Sequence, residues 1–164
     1  MKRKILIEDT RSLRNGLLLL PVIDSLKKQY PKEELHVWVN AETADILKED
    51  SRIDYCHIWQ TKTVFSIKSI KQQIMKLKVH EFDYFISFSG RILPAMSTFF
   101  AKIPVRVGKK TGLFVNSWFS HTMMIKTPLA HESEENAELL YVLGIKKVLF
   151  TSYIICHKND HFVV

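Results

Sequence analysis

Cysteine is nearly absent: Cys56 and Cys156 are the two in 164 residues. Their separation matches no metal or redox spacing, so the expected compartment is a reducing one, the cytoplasm. Five glycines and five prolines exclude a fibrous repeat or a low-complexity domain. No apolar run reaches the roughly 18 residues that a membrane-spanning helix needs. The basic opening Met1-Lys2-Arg3-Lys4 is followed only by Ile5, Leu6 and Ile7 before Glu8, too short an apolar stretch for a secretory signal. There is no Gly-x-Gly-x-x-Gly, no Walker loop and no Gly-x-Ser-x-Gly elbow. RNP aromatics, zinc-finger spacing and a heptad-linked basic region are also missing, so nucleic acid is not the expected partner. His131-Glu132 lacks the second His of a zincin helix, and Cys156, His157, Asp160 and His161 read as a mixed polar tail. Neither a metal nor a cofactor is expected.

What is present is an ordinary globular composition with a basic excess. Hydrophobic residues make up 46% and charged residues 25%, enough for one domain with a real core. The formal charge of +7 favours an anionic partner: a phosphorylated sugar, a nucleic acid or the inner leaflet of a membrane.

Strand and helix patterns alternate along the chain. Arg3 to Ile7 is a short, nearly all-apolar strand, as a strand buried on both faces should be. A helix is expected from Asn15 to Gln29, with Leu19, Ile23 and Leu26 as its core stripe, Pro21 in its first two turns, and Tyr30-Pro31 as its end. Leu35 to Val39 follows as a strand. Asn40 reads as the N-cap of a short helix over Ala41 to Lys48, and Tyr55 to Trp59 as the third strand. A Lys-rich helix with its leading loop is expected over 61–81, then a strand at Asp83 to Phe88 and a helix at Ile92 to Ala101, with Pro94 in its first turn. A strand at Val105 to Val107, a short helix near Leu113 to Phe119 and an extended His121 to Ile125 come next. A helix from Glu132 to Leu143, stopped by Gly144, and a strand from Val148 to Cys156 complete the reading. Connections too long for hairpins imply parallel strands and right-handed crossovers. The expected fold is therefore α/β, a Rossmann-like doubly wound and mainly parallel sheet, with the first strand beside the fourth.

In such sheets ligands bind beyond the carboxyl ends of the strands, where loop and helix N-terminus meet. Ser12, Arg14 and Asn15 follow the first strand, Ser87, Ser89 and Arg91 end or follow the fourth, and Lys109 and Lys110 end the fifth. Lys62 and Lys68 stand at the entry of the third helix, on the same edge. An Arg at a helix start suits a bidentate phosphate or carboxylate contact. Asn15 either caps the first helix or hydrogen-bonds a hydroxyl; the cations either form a floor for an anion or are ordinary solvated surface.

The segment Ser12-Leu13-Arg14-Asn15, the run Leu17 to Leu20, Pro21 and Tyr30-Pro31 resemble the opening of the lipopolysaccharide heptosyltransferases, glycosyltransferase family 9. Phe82 to Ser87, Ala101 to Gly108 and His131 to Gly144 are similar to three further segments of that family, in the same order. The resemblance implies one Rossmann-like lobe of a two-lobed GT-B enzyme over 1–145, with 146–164 where the linker to a nucleotide-sugar domain would begin. It also implies that this lobe binds the acceptor, a phosphorylated Kdo–lipid A core, while ADP-heptose binds the second lobe and not this one alone. Ser12, Arg14, Lys62, Lys68, Ser89, Arg91, Lys109 and Lys110 are the implied acceptor contacts, and peripheral contact with the inner membrane surface is implied with them. Arg14 stands where the family has Gly, and Asn15 where it has the Asp proposed as general base. An amide has no useful basicity near neutral pH, so the expectation is an acceptor lobe inactive by itself. The alternative is a non-catalytic module that binds a phospholigand or a partner.

Overall fold

The computed structural model describes residues 2–59, 67–124 and 132–145. Lys62 and the strand expected over Val148 to Cys156 lie outside them, as does the whole of 146–164.

Six parallel strands form one sheet: β1 (Lys4–Asp9), β2 (Glu34–Val39), β3 (Tyr55–Ile58), β4 (Tyr84–Ser87), β5 (Val105–Lys109) and β6 (His121–Met123). Their order is β3-β2-β1-β4-β5-β6. The chain starts in the middle, winds outward through β2 and β3, then crosses back to β4 and winds the other way. That reversal makes the gap between β1 and β4 the switch point of a doubly wound sheet, with β1 beside β4 as expected.

The helices are α1 (Leu13–Leu17), α2 (Leu20–Gln29), α3 (Ala41–Leu47), α4 (Ile67–His80), α5 (Ile92–Phe100), α6 (Leu113–Asn116) and α7 (Glu132–Leu139), the last running into a 3-10 turn at Leu140–Leu143. Strand side chains alternate between two cores. Ile5, Ile7, Leu35, Val37 and Val39 pack with Leu19, Ile23 and Leu26 of the α1–α2 segment and with Leu139 and Leu140. On the opposite face Leu6, Trp38 and Phe85 pack with Leu77 of α4, Ala95 of α5 and Phe119. Among the described residues no helix is long and apolar enough to cross a membrane.

Two expectations at the start of the chain are corrected. The first helix is two pieces, because Pro21 has no N–H to give and its ring crowds the carbonyl four residues back, that of Leu17. Leu18 and Leu19 close the gap with tighter turns, Leu18 N–H bonding Asn15 O at 3.1 Å and Leu19 N–H bonding Gly16 O at 3.1 Å. The N-cap is Ser12, not Asn15. The second correction concerns β1, which runs two residues beyond Ile7. Its ladder with β2 continues to Asp9 opposite Val39, carrying Glu8 and Asp9 into the interior at 0% exposure. Asn40 caps α3 as expected, its Oδ1 accepting from Thr43 N–H at 2.8 Å. The extended segment after α6 is a true edge strand, parallel to β5. Gly144 ends the 3-10 turn in the left-handed region, φ 80°.

Candidate functional site

The switch point is organised by Glu8, a residue that reads in sequence as mere punctuation. Its Oε1 accepts from Thr10 N–H at 2.9 Å and from the Thr10 hydroxyl at 2.8 Å. Its Oε2 accepts from the Ser87 hydroxyl at 2.7 Å and the Ser89 hydroxyl at 2.9 Å. Glu8 lies opposite Ser87 in the β1–β4 ladder, so one carboxylate ties the loop after β1 to the end of β4. Burial pushes its pKa up; the hydroxyls of Ser87, Ser89 and Thr10 pull the other way, and neighbouring Asp9 adds to the rise. The group is held by neutral donors and is sealed from solvent.

Asp9, also fully buried, holds Arg11 in a fork: Arg11 Nε to Oδ1 at 2.9 Å and Nη2 to Oδ2 at 2.5 Å. This bidentate geometry is the strong form of the ion pair, and it fixes the backbone on which α1 starts. The Arg11 carbonyl accepts from the Asn40 amide at 3.3 Å, which joins the loop to the cap of α3. Gly16 completes the fit. A Cβ there would stand 2.2 Å from the Thr43 methyl, so α1 can approach α3 only with glycine at that position.

Above this buried layer lie the residues singled out in the sequence. The Ser12 hydroxyl donates to Asn15 Oδ1 at 2.6 Å and accepts weakly from Asn15 N–H at 3.4 Å, a capping arrangement within one turn. Arg14 is exposed and makes no ion pair among the described residues. Ser89 and Arg91 belong to the same assembly: the Arg91 N–H bonds Ser89 Oγ at 3.1 Å, and its guanidinium reaches across to the Thr10 carbonyl at 3.2 Å. The loop after β4 is thereby clamped to the loop after β1. Gly90, with φ +63°, makes the turn between them and abuts the Thr111 methyl, bringing the end of β5 alongside. Lys110 is exposed there, whereas Lys109 is committed to an ion pair with Glu135 of α7 at 3.1 Å. Lys68 is exposed near the start of α4.

The arrangement offers an open rim of cations and small polar groups over a rigid floor. Among the described residues at the β1 tip, Asn15 is an amide and both carboxylates, Glu8 and Asp9, are buried and bonded. Two concavities elsewhere, one lined by Arg3, Tyr30 and Tyr84 and the other by Lys78, Glu81 and Lys102, lie at the amino edge of the sheet. They border strand starts, away from the switch point that the topology favours for ligands. Among the described residues no group of His, Cys, Asp and Glu is arranged to hold a metal ion. Glu8 was the residue sequence reasoning missed. The available signal was an acid placed within an otherwise apolar strand run, with hydroxyls at Thr10, Ser87 and Ser89 to receive it.

No protein-family model and no curated protein matches the chain; its similarities are to solved structures. A glycosyl transferase family 9 protein from Veillonella parvula superposes with a TM-score of 0.77 at 13% identity, over 88% of this chain and 43% of that one. The E. coli heptosyltransferase WaaC, solved with ADP, gives a TM-score of 0.74 at 20% identity, over 88% of this chain and 48% of that one. The E. coli ADP-heptose lipopolysaccharide heptosyltransferase II gives 0.69 at 15% identity, over 85% of this chain and 40% of that one. At this level of identity the likeness is one of fold. The chain is built as a Rossmann-like lobe of the kind found in the GT-B heptosyltransferases, and it spans about half the length of those structures.

Proposed function

We propose that this chain is an acceptor-side lobe, binding an anionic sugar at the carboxyl edge of the sheet between β1 and β4 without transferring a sugar to it by itself. The observation that carries this reading is the pairing of a cationic, exposed rim (Arg14, Arg91, Lys110) with a β1 tip whose carboxylates are sealed and whose following turn holds an amide, Asn15. The ligand class is a phosphorylated sugar of the Kdo–lipid A type, contacted by Ser12, Arg14, Ser89, Arg91 and Lys110. ADP-heptose would need a second lobe. A base lost from the Asn15 position removes about 10² to 10⁴ in rate. A donor site on a second lobe would supply orientation worth about 7 to 11 kcal/mol, more than the amide costs, so this lobe tested by itself is expected to give no transfer.

Calorimetric titration of the chain with a phosphorylated Kdo–lipid A acceptor, in parallel with a transfer assay using ADP-heptose, tests this. The expected result is saturable binding and no turnover, with binding weakened about tenfold or more by Arg14→Ala with Arg91→Ala, since a charge-assisted hydrogen bond contributes about 1.5 to 3 kcal/mol. Asn15→Asp is expected to leave turnover at zero. Turnover by the isolated chain, or binding indifferent to both arginines, refutes the proposal.

A further inference from the structure

Glu8 is sealed at 0% exposure, so a ligand at the open rim cannot touch it. It is nevertheless the hub of a closed ring of hydrogen bonds that passes through an exposed cation. Glu8 Oε2 accepts from the Ser89 hydroxyl at 2.9 Å, and Ser89 Oγ in turn accepts from the Arg91 N–H at 3.1 Å. The Arg91 guanidinium donates to the Thr10 carbonyl at 3.2 Å. The ring closes through Thr10, whose N–H and hydroxyl donate to Glu8 Oε1 at 2.9 and 2.8 Å. Every member other than Glu8 lies on the loop after β1 or the loop after β4, and Arg91 is the member that reaches solvent as a charge.

The ring also fixes what each group has left to offer a ligand. A serine hydroxyl has one proton and two lone pairs. The Ser89 proton goes to Glu8, and one of its lone pairs takes the Arg91 N–H. The Ser87 proton goes to the same carboxylate oxygen at 2.7 Å, and that of Ser12 goes to Asn15 Oδ1 at 2.6 Å. None of these three serines keeps a proton for an anion. Ser89 keeps a lone pair, which suits a ligand hydroxyl. A negative group at this rim is therefore held by the cations, and Arg91 is the cation whose guanidinium the ring anchors. An arginine placed before the ligand arrives loses less rotamer freedom on binding.

We propose that Glu8 is a positioning residue for anion capture: through Ser89 and Thr10 it holds the Arg91 guanidinium in the orientation that receives a ligand oxyanion. The ligand class rests on the acceptor reading above; the positioning rests on the ring itself. Two effects oppose each other here. A buried negative charge beneath the rim repels an anion, so charge alone has Glu8 weakening binding. Positioning has it strengthening binding. Four donors converge on the carboxylate and offset much of its field, whereas a misplaced guanidinium forfeits its charge-assisted bond outright. Positioning is therefore the larger effect, and the two differ in sign, so one substitution separates them.

A double-mutant cycle tests it, read by calorimetric titration of the full chain with a phosphorylated Kdo–lipid A acceptor. Glu8→Gln keeps the size of the side chain and puts an amide NH2 where one carboxylate oxygen received two donors. It should weaken binding about tenfold, the loss of one charge-assisted bond, and should cause no further loss in an Arg91→Ala background. Thr10→Val cuts the ring on its other arm, at a residue that is also fully buried, and should weaken binding in the same direction. Circular dichroism and thermal melts confirm that each variant is folded. In the chain without ligand, nitrogen-15 relaxation of the Arg91 Nε–H should show an ordered guanidinium in the wild type and a mobile one in Glu8→Gln. Tighter binding by Glu8→Gln, an equal loss with and without Arg91, or a guanidinium equally ordered in both proteins would each overturn the proposal. A wild type that binds no acceptor would overturn the acceptor reading instead, and the relaxation comparison would still decide whether Glu8 orients Arg91.

Discussion

Acidification should weaken this fold through a histidine cluster that faces the α4 layer. His36 of β2 is fully buried, its Nε2 2.7 Å from Glu34 Oε1 and its Nδ1 2.7 Å from His57 Nε2. Glu34 can only accept at neutral pH, so His36 donates from Nε2, and its Nδ1 must then accept the N–H of His57. The His80 ring stands 4.9 Å from that of His57 and 5.2 Å from that of His36. Burial, then the charges that His36, His80 and Lys76 would carry, push the His57 pKa down to about 4 from 6.5; burial also lowers that of His36 despite the pull of Glu34. A folded-state pKa below the unfolded one means that the unfolded chain takes the proton first. Stability is therefore intact above about pH 6.5 and is lost as pH falls towards 4. For His57 alone the full shift corresponds to about 3 kcal/mol, and partial solvent access reduces this to about 2. In a protein of this size that is about 4 to 8 °C in melting temperature.

Carboxylates titrate in the same window, so the comparison is between variants. Urea unfolding of the wild type and of His57→Gln at about pH 7 and about pH 4 isolates the term. The wild type should lose about 2 kcal/mol more than the variant across the interval. Parallel losses in the two proteins would refute the argument, and a smaller loss in the wild type would reverse its sign.

Gly16→Ala should destabilise by about 1 to 3 kcal/mol through overpacking against Thr43, with partial recovery in the Gly16→Ala, Thr43→Ala pair; additive losses in urea unfolding would show that the two residues are not in conflict. Glu8→Ala leaves four donors at the switch point without their acceptor and should cost about 3 kcal/mol or more, together with faster amide exchange at Thr10; unchanged exchange would mean that the carboxylate does not hold the loop. Ser12→Ala removes the cap of α1 and should cost about 0.5 to 2 kcal/mol in thermal unfolding.

The alternation of strands and helices, the core stripe of Leu19, Ile23 and Leu26, the Asn40 cap and the Gly144 stop were all readable from the sequence, because each depends on residues within a turn or two of one another. The parallel sheet followed from connection lengths and the handedness of crossovers. That the loops carrying Ser12, Asn15, Ser89 and Arg91 would lie at one edge also followed, since all lie just past strand ends. What the sequence could not decide depends on partners far along the chain. Glu8 enters the interior only because Ser87 and Ser89, 79 and 81 residues away, bring hydroxyls to its carboxylate; without them an acid belongs in water. Lys109 looks like a free cation until Glu135 closes on it. The break between α1 and α2 turned on how far one proline disturbs the carbonyl behind it, a balance set by packing against the sheet. Local periodicity fixes elements through short-range geometry. Burial of charge is a long-range property, and the tertiary structure alone decides it.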